Sequence, residues 1–331
     1  MKRTSVHVMA ALAVTVSAAA CAAPSVPPDG SAAATGPAAA GTAFPTTVTN
    51  CGRTVTIPSR PSKVVAFDGA AETVFALGAA EQLSGYFGAD PKALPADLAA
   101  QAGTTTRIGS TFPAPTLEAV TKDKPDLILM YGENEKGGLT GERLDQLGIP
   151  HLQLSEACRD KPDATVEGYL GDVQTIADAL GRGEDGRRLV AQWRQRLAEL
   201  PAPSDPRPSV MVSGNVDPKS PFASGRGSFV QDQLTKAGAR NVYEDVAKGY
   251  LSPSWEDVAT RNPDIIVDGS GGMEKSRDAL LAHLRANPAL AQMTAVEKSR
   301  VIAVPFSQNV PGPQAIDGIV AIGKAVAEAR G

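Results

Sequence analysis

Histidine is scarce in this chain. Only three of the 331 residues are histidines, and two of them, His151 and His283, lie beyond the first 21 residues. Zinc and manganese sites usually recruit several histidines, or one histidine with a second ligand at a fixed spacing. His151 stands at a predicted strand and His283 on a predicted helix face, and neither has such a neighbour. The sequence therefore predicts no metal site and no cofactor.

Short motifs of hydrolases and nucleotide-binding proteins are also missing. A Gly-x-Ser-x-Gly elbow is approached only at 268–272, where Asp268 occupies the first glycine position. Neither a Walker loop nor a Gly-x-Gly-x-x-Gly turn occurs. The 32 Lys and Arg residues are interspersed with 36 Asp and Glu residues, for a formal charge of -4, so no basic patch marks a nucleic-acid partner. These absences argue against an enzyme and against nucleic-acid binding.

The apolar stretch near the amino terminus, residues 6–20, is too short and too rich in small side chains to predict a stable membrane span. Two basic residues precede it, so residues 1–21 read as an export signal. Cys21 follows three alanines, which resembles a bacterial lipobox with Ala at the usual Leu position. An acylated Cys21 would hold the chain on the outer face of the cytoplasmic membrane. The alternative is an ordinary Ala-x-Ala cleavage site without lipid.

Residues 22–44 consist mainly of Ala, Gly, Pro and Ser, with almost no charge and few large apolar side chains. Such a segment cannot bury enough surface to offset its ordering entropy, so it predicts a disordered tether. The whole chain is 42% hydrophobic and 21% charged, an ordinary globular composition, and is long enough for two domains.

Three cysteines in an exported chain leave one over after pairing. If Cys21 carries a lipid, Cys51 and Cys158 remain for each other, and both lie in predicted loops. We therefore predict a disulfide between them. The alternative is two buried free thiols.

Two stretches of the sequence repeat one pattern. Residues 116–120 and 254–258 each place a Ser or Thr before an apolar residue and a Glu, the composition of a helix start. After four residues each continues with Pro-Asp and a β-branched or Leu run, at 125–129 and 263–267. The proline ends the helix and the run suits a strand buried on both faces. Each copy therefore predicts a short helix feeding a parallel strand.

The two copies divide the folded part into two α/β lobes of similar build. Strand and helix patterns alternate in each lobe, which predicts parallel sheets. We expect an N-terminal lobe over 45–183, a connecting helix over 184–201 and a C-terminal lobe over 202–331. A stiff connecting helix predicts restricted motion between the lobes, with a ligand cleft between them lined by strand-end loops.

Taken together, these features resemble the helical-backbone solute-binding proteins of ABC importers for ferric siderophores, cobalamin and haem. The resemblance covers roughly residues 48–329. The motifs that carry it are Lys63-Val64-Val65-Ala66-Phe67, Ala71-Glu72, Leu77-Gly78, Leu117-Glu118, Pro125-Asp126, Leu147-Gly148-Ile149-Pro150, Ser220-Pro221-Phe222, Gly238, Asn241-Val242, Trp255-Glu256, Pro263-Asp264, Ala295-Val296 and Arg300-Val301. It implies a monomeric receptor that makes and breaks no bond.

In that family one surface glutamate on each lobe docks into arginine pockets of the permease dimer. The matching positions here are Glu118 and Glu256. Both also suit a plainer role, since a carboxylate in the first turn of a helix offsets the positive end of the helix dipole by about 0.3–1 kcal/mol. The two roles are compatible.

We expect the cleft to recognise an anionic or oxygen-rich chelate through cations and phenols rather than through a protein–metal bond. The candidate ligand-binding residues on predicted strands and crevice loops are Phe67, Tyr86, Arg107, Phe112, Tyr131, Lys136, Arg226 and Tyr250. Among the cations Arg226 is favoured, because it lies between two glycines directly before a predicted helix.

A ferric siderophore is the leading ligand and cobalamin or haem the alternative. Haem would require an axial Tyr, His or Met, and Tyr86, Tyr131 and Tyr250 are the candidates. A sensor or signalling subunit on the same scaffold also stays open, because docking glutamates would serve either partner.

Overall fold

The computed structural model describes residues 43–88, 90–158, 164–215, 221–270 and 274–330. The predicted export signal, Cys21 and all but the last two residues of the predicted tether lie outside these ranges. No helix within them is long and apolar enough to cross a membrane.

A parallel five-stranded sheet forms the centre of the first lobe. The chain enters through an antiparallel hairpin that consists of β1 Thr46–Asn50 and β2 Arg53–Ile57. The five strands of the sheet are β3 Val64–Phe67, β4 Leu83–Phe87, β5 Arg107–Gly109, β6 Leu127–Met130 and β7 His151–Gln153. The sheet order is β5-β4-β3-β6-β7, and all neighbours run parallel. The helices are α1 Asp68–Ala76, α2 Ala96–Ala102, α3 Leu117–Thr121 and α4 Gly141–Gln146.

Two helices follow, α5 Val166–Ala179 and α6 Gly183–Ala198, and a second lobe is built after them. Its strands are β8 Ser209–Asn215, β9 Phe222–Ser224, β10 Arg240–Asn241, β11 Tyr250–Leu251, β12 Ile265–Asp268 and β13 Val301–Ala303. Its helices are α7 Phe229–Lys236, α8 Trp255–Arg261, α9 Glu274–Ala286, α10 Pro288–Ala291, α11 Thr294–Glu297 and α12 Gln314–Glu328. The central strands β8, β12 and β13 are parallel, whereas β9 and β11 extend the sheet in antiparallel fashion. The predicted pair of α/β lobes is confirmed.

The repeated sequence pattern forms the same structure in both lobes. The Thr116 hydroxyl accepts the Ala119 N–H at the start of α3, and the Ser254 hydroxyl accepts the Asp257 N–H at the start of α8. The strands that follow, β6 and β12, are buried along their whole length. The aspartates after the prolines have a role of their own: Asp126 accepts the Lys63 N–H at 3.0 Å, and Asp264 accepts the Ser209 N–H at 2.8 Å. Each therefore fixes the start of the neighbouring strand.

Helices α5 and α6 each bridge the two lobes. In α5, Tyr169 and Leu170 pack in the core of the second lobe, whereas Ala177 and Leu180 pack in the core of the first. At the start of α6, Arg182 pairs with a glutamate of the first lobe, and near its end Arg196 pairs with Asp317 of the second. The helix predicted over 184–201 corresponds to α6, and α5 shares its bridging position. The domain boundaries at 183/184 and 201/202 stay predictions.

Candidate functional site: the cleft between the lobes

The two lobes meet where the parallel strands of both sheets end. Gly69, just after β3, lies so close to the segment that follows β13 that a Cβ atom there would come within 2.0 Å of the Pro311 carbonyl oxygen. Only glycine permits this approach. Beside it, the Gln314 side-chain amide donates a hydrogen bond to the Glu72 carboxyl at 3.0 Å, and the Ser307 hydroxyl donates to the Gln314 side-chain oxygen Oε1 at 3.0 Å. These contacts form the floor of the cleft.

Glu72 is unusual for a carboxyl group because it is only 8% exposed. Burial raises its pKa to about 7, although the hydrogen bond from Gln314 works in the opposite direction. The nearby Asp68 carboxylate adds to the rise. A bond between the lobes therefore involves a group that titrates near neutral pH.

Two tyrosines and a glutamate interact in this region, one pair through a hydrogen bond and the third side chain through charge. Tyr131 follows β6, and its hydroxyl donates to the Glu156 carboxylate at 2.8 Å. Tyr250 belongs to the second lobe, is 42% exposed and stacks on Phe222 with ring centroids 5.2 Å apart. The pKa of Tyr250 is raised to about 12, mainly by burial and to a smaller extent by the Glu156 carboxylate. Tyr131, Glu156 and Tyr250, the central cluster, thus bring both lobes to one place.

Asp68 adds a second carboxylate to this region. It follows β3 with a φ of 38°, which is uncommon for a residue with a side chain. Burial raises its pKa, and its charge is the smallest of the causes that raise the pKa of Tyr131, after burial, Glu156 and Tyr250. The charged side chains acting on Tyr131 are therefore both acidic.

Two exposed aromatic side chains lie on other loops that follow strands. Phe112, in the loop after β5, is 79% exposed, and Phe306, after β13, is 48% exposed. Phe67, by contrast, is buried in the core of the first lobe, where its ring stacks on that of Phe87 with centroids 5.2 Å apart. It therefore does not line the cleft as predicted. Tyr86 is also buried, edge-on against Phe75 in the core of the first lobe.

None of the three predicted cations forms an ion pair with Glu156, Asp68 or Glu72 among the described residues. The Arg107 guanidinium donates to the Gly88 carbonyl at 2.9 Å, and Lys136 is exposed on the turn at 135–137. Arg226 is exposed, and its backbone N–H donates to the Val246 carbonyl at 2.8 Å. Its flanking glycines are needed for that packing, since a Cβ on Gly225 would lie 2.3 Å from the Lys248 carbonyl oxygen. The glycines thus serve the fold, and a ligand role for the three cations stays a prediction.

The turn that carries Glu156 is held from several sides. Cys158 forms a disulfide with Cys51 in the β1–β2 turn, with Cα atoms 5.3 Å apart, as predicted. The Ser155 N–H donates to the Asp172 carboxylate of α5 at 2.8 Å. Glu156 is therefore positioned before any ligand arrives.

Sequence reasoning missed Glu156, Asp68, Glu72 and Phe306. Glu156 and Asp68 were recognisable as carboxylates in segments that follow predicted strands. The effect of Glu156 on Tyr250 depends on how the lobes pack, which no local pattern reports. The predicted aromatics Phe112, Tyr131 and Tyr250 do lie at exposed or half-buried positions on strand-end segments.

A cavity of about 660 Å³ lies elsewhere, on the first lobe beside the hairpin. His151 is buried there; burial and the neighbouring Arg53 lower its pKa. Arg53 pairs with Asp145 at 2.9 Å, and the Gly141 N–H donates to the Glu133 carboxylate at 2.8 Å. None of its lining residues belongs to the second lobe.

Within the described ranges no group of three or more His, Cys, Asp or Glu side chains is arranged to hold a metal ion.

The predicted docking glutamates are placed alike. Glu118 and Glu256 stand exposed in the first turns of α3 and α8. Neither forms an ion pair with a side chain in the described part of the chain. Docking itself stays a prediction.

Comparison with known proteins places these features in context. The model of the family described as "Periplasmic binding protein" matches residues 64–307. The vitamin B12-binding protein of Photorhabdus laumondii is 28% identical over 163 residues, which cover 48% of this chain and 54% of that protein. The chain thus spans about half the length of the curated relatives it matches.

Two solved structures cover most of the chain. One is described as an ABC-type Fe3+-hydroxamate transport system from Saccharomonospora viridis; it has a TM-score of 0.70 at 27% identity, over 86% of this chain and 99% of that one. A periplasmic binding protein from Veillonella parvula has a TM-score of 0.69 at 20% identity, over 85% and 96%. The second likeness concerns the fold alone.

Proposed function

The chain belongs to the periplasmic binding protein family, and from that premise we propose that it captures a ferric siderophore between its two lobes and delivers it to an ABC permease. Members of this family act outside the cytoplasm as transport components rather than as enzymes. The observation that carries the proposal is the central cluster. Tyr131 and Glu156 follow the parallel strands β6 and β7 at the carboxyl edge of the first sheet, where parallel sheets bind ligands, and the Glu156 charge acts on Tyr250 of the other lobe.

Within the siderophores, the hydroxamate class is favoured. The Saccharomonospora viridis structure is described as part of an Fe3+-hydroxamate system, and it aligns over nearly the whole of its own length. Hydroxamate chelates expose oxygen-rich edges and short alkyl links. The phenol tips of Tyr131 and Tyr250 and the exposed ring of Phe112 suit such a surface. Arg107, Lys136 and Arg226 are proposed as further contacts to chelate oxygens.

The proposal is tested by titrating the purified protein with ferric trihydroxamate, ferric tricatecholate, cyanocobalamin and haemin while intrinsic fluorescence is followed. Trp193 and Trp255 are both buried and serve as reporters of an absorbing ligand. Saturable quenching by the trihydroxamate at about micromolar concentrations or below is expected. If neither the ferric trihydroxamate nor the ferric tricatecholate gives saturable quenching, siderophore capture is rejected.

Cobalamin is the second candidate, because the curated relatives are vitamin B12-binding proteins. The exposed Phe112 and Phe306 rings offer flat apolar surface for a corrin. Saturable quenching by cyanocobalamin alone would favour this candidate. Haem is less well supported, since an axial tyrosinate must lose its proton, and burial together with Glu156 raises the pKa of both Tyr131 and Tyr250.

Delivery requires a partner at the membrane. We propose that Glu118 and Glu256 dock into the permease dimer, one from each lobe, because both are exposed at equivalent helix starts.

We further propose that an acyl group on Cys21 tethers a monomeric receptor to the outer face of the cytoplasmic membrane. Labelling with a radioactive fatty acid, compared between the wild type and Cys21→Ser, tests the anchor.

A further inference from the structure

The electrostatic character of the cleft bears on which chelates it accepts. Glu156 and Asp68 are both half-buried, and neither forms an ion pair with a Lys, Arg or His side chain in the described ranges. The buried Glu72 lies beneath them at the floor. Arg107, Lys136 and Arg226 form no contact with Glu156 among the described residues. Among the described residues, the charged groups at the centre of the cleft are therefore carboxylates.

Glu156 is the carboxylate best placed to meet a ligand. Tyr131 donates to its Oε2 atom, while no group in the described part of the chain donates to Oε1. The Cys51–Cys158 disulfide and the bond from Ser155 to Asp172 fix the turn on which it lies. Across the cleft, its charge acts on the exposed Tyr250 of the other lobe. One oxygen of a pre-positioned carboxylate is thus left for a donor that arrives with the ligand.

We propose that Glu156 selects for ferric hydroxamate chelates that carry a cationic, hydrogen-bond-donating edge, such as a protonated primary amine. This inference rests on the proposed function and narrows its substrate class. A half-buried carboxylate gains from an ammonium partner because the pair replaces solvation that the carboxylate has already lost in part. Three hydroxamates balance the charge of Fe3+, so the periphery decides the net charge of such a chelate. A ferric tricatecholate is a trianion, which the acidic cleft opposes.

A set of three matched chelates tests this charge preference. The first is a linear ferric trihydroxamate with one primary ammonium group. In the second that amine is acetylated, which removes the charge, and in the third it is succinylated, which makes it negative. At pH 7.5 we expect the wild-type protein to bind the ammonium form about tenfold more tightly than the acetylated form, and the succinylated form most weakly.

Variants of the protein assign the preference to Glu156. Glu156→Gln keeps the size and the acceptor for Tyr131 but removes the charge, and should bring the ammonium and acetylated forms to within about twofold. Glu156→Lys should invert the order in favour of the succinylated form. Glu199→Gln, an exposed change at the residue that follows α6, is the matched control and should keep the wild-type order.

Each outcome bears on the inference. Equal binding of the three chelates by the wild type, or an ammonium preference that survives in Glu156→Gln, would overturn the role of Glu156 while leaving siderophore capture intact. Failure of all three chelates and of the tricatecholate to bind would overturn both the inference and the proposed function.

Discussion

Replacing Glu72 by Gln should make the stability of the protein much less dependent on pH. In the folded state the pKa of Glu72 rises from the ordinary 4.5 to about 7, chiefly because the carboxyl is buried. The folded protein therefore holds the proton more tightly than the unfolded chain does. The stabilisation that results is complete below about pH 4.5 and is lost as the pH rises through about 7.

The size of the effect follows from the displaced pKa. At about 1.4 kcal/mol for each pH unit, a rise from 4.5 to about 7 corresponds to about 3 kcal/mol, of which about 2.5 kcal/mol is lost between pH 5 and pH 8. Glu72→Gln keeps an amide oxygen for Gln314 but has no charge to bury. The free energy of unfolding of the wild type should therefore fall by about 2.5 kcal/mol more than that of the variant over this interval.

Urea unfolding followed by the fluorescence of the buried Trp193 and Trp255 measures both free energies at each pH. Glu297→Gln, an exposed change on α11, is the control and should follow the wild type. If the wild type and Glu72→Gln show parallel pH profiles, the buried carboxyl is not responsible, and the description of the cleft floor is wrong.

Three further predictions follow from other contacts. Replacing Cys51 and Cys158 together by serine should lower the free energy of unfolding by about 5 kcal/mol in the chain-entropy model, since the disulfide spans 107 positions; an unchanged denaturation midpoint would refute this. The double variant Glu118→Ala and Glu256→Ala should abolish uptake of the iron chelate by cells, with a dissociation constant within about threefold of wild type, a change below about 0.7 kcal/mol; lost binding would place the two glutamates in the ligand site. Burial raises the pKa of the Glu156 carboxyl, so protonation of Glu156 at acidic pH should weaken binding of the ammonium chelate more than binding of the acetylated chelate; identical pH profiles for the two chelates would contradict the assignment.

The parts of the fold with local chemical signals were predictable from sequence. A capping Ser or Thr, a following Glu and a Pro-Asp before a buried run located the α3–β6 and α8–β12 units, because each signal acts within a few residues. The Cys51–Cys158 bond was predictable because few cysteines were available to pair. The antiparallel β9 and β11 are only three and two residues long, too short to show a period.

The site was less predictable because it depends on packing between the lobes. Tyr86 was expected in the cleft, yet the strand Leu83–Phe87 turns its ring into the core against Phe75. The glycines around Arg226 suggested space for a ligand, whereas they accommodate the backbone of residues 246–249. Glu156 lies in a predicted loop whose only recognisable sequence signal is Cys158. Glu156 acts on Tyr250 of the second lobe, and the two residues are 94 positions apart in the chain. Local sequence therefore gives no sign that they belong to one site.

Amide hydrogen exchange with and without the ammonium-bearing ferric trihydroxamate tests most directly the claim that the ligand lies between the lobes. Slower exchange is expected on both sides of the cleft, in the segments around Tyr131 and Glu156 of the first lobe and around Tyr250 of the second. The segments 141–146 and 53–57 beside the 660 Å³ cavity should be unaffected. Protection confined to that cavity, or to a single lobe, would contradict the account.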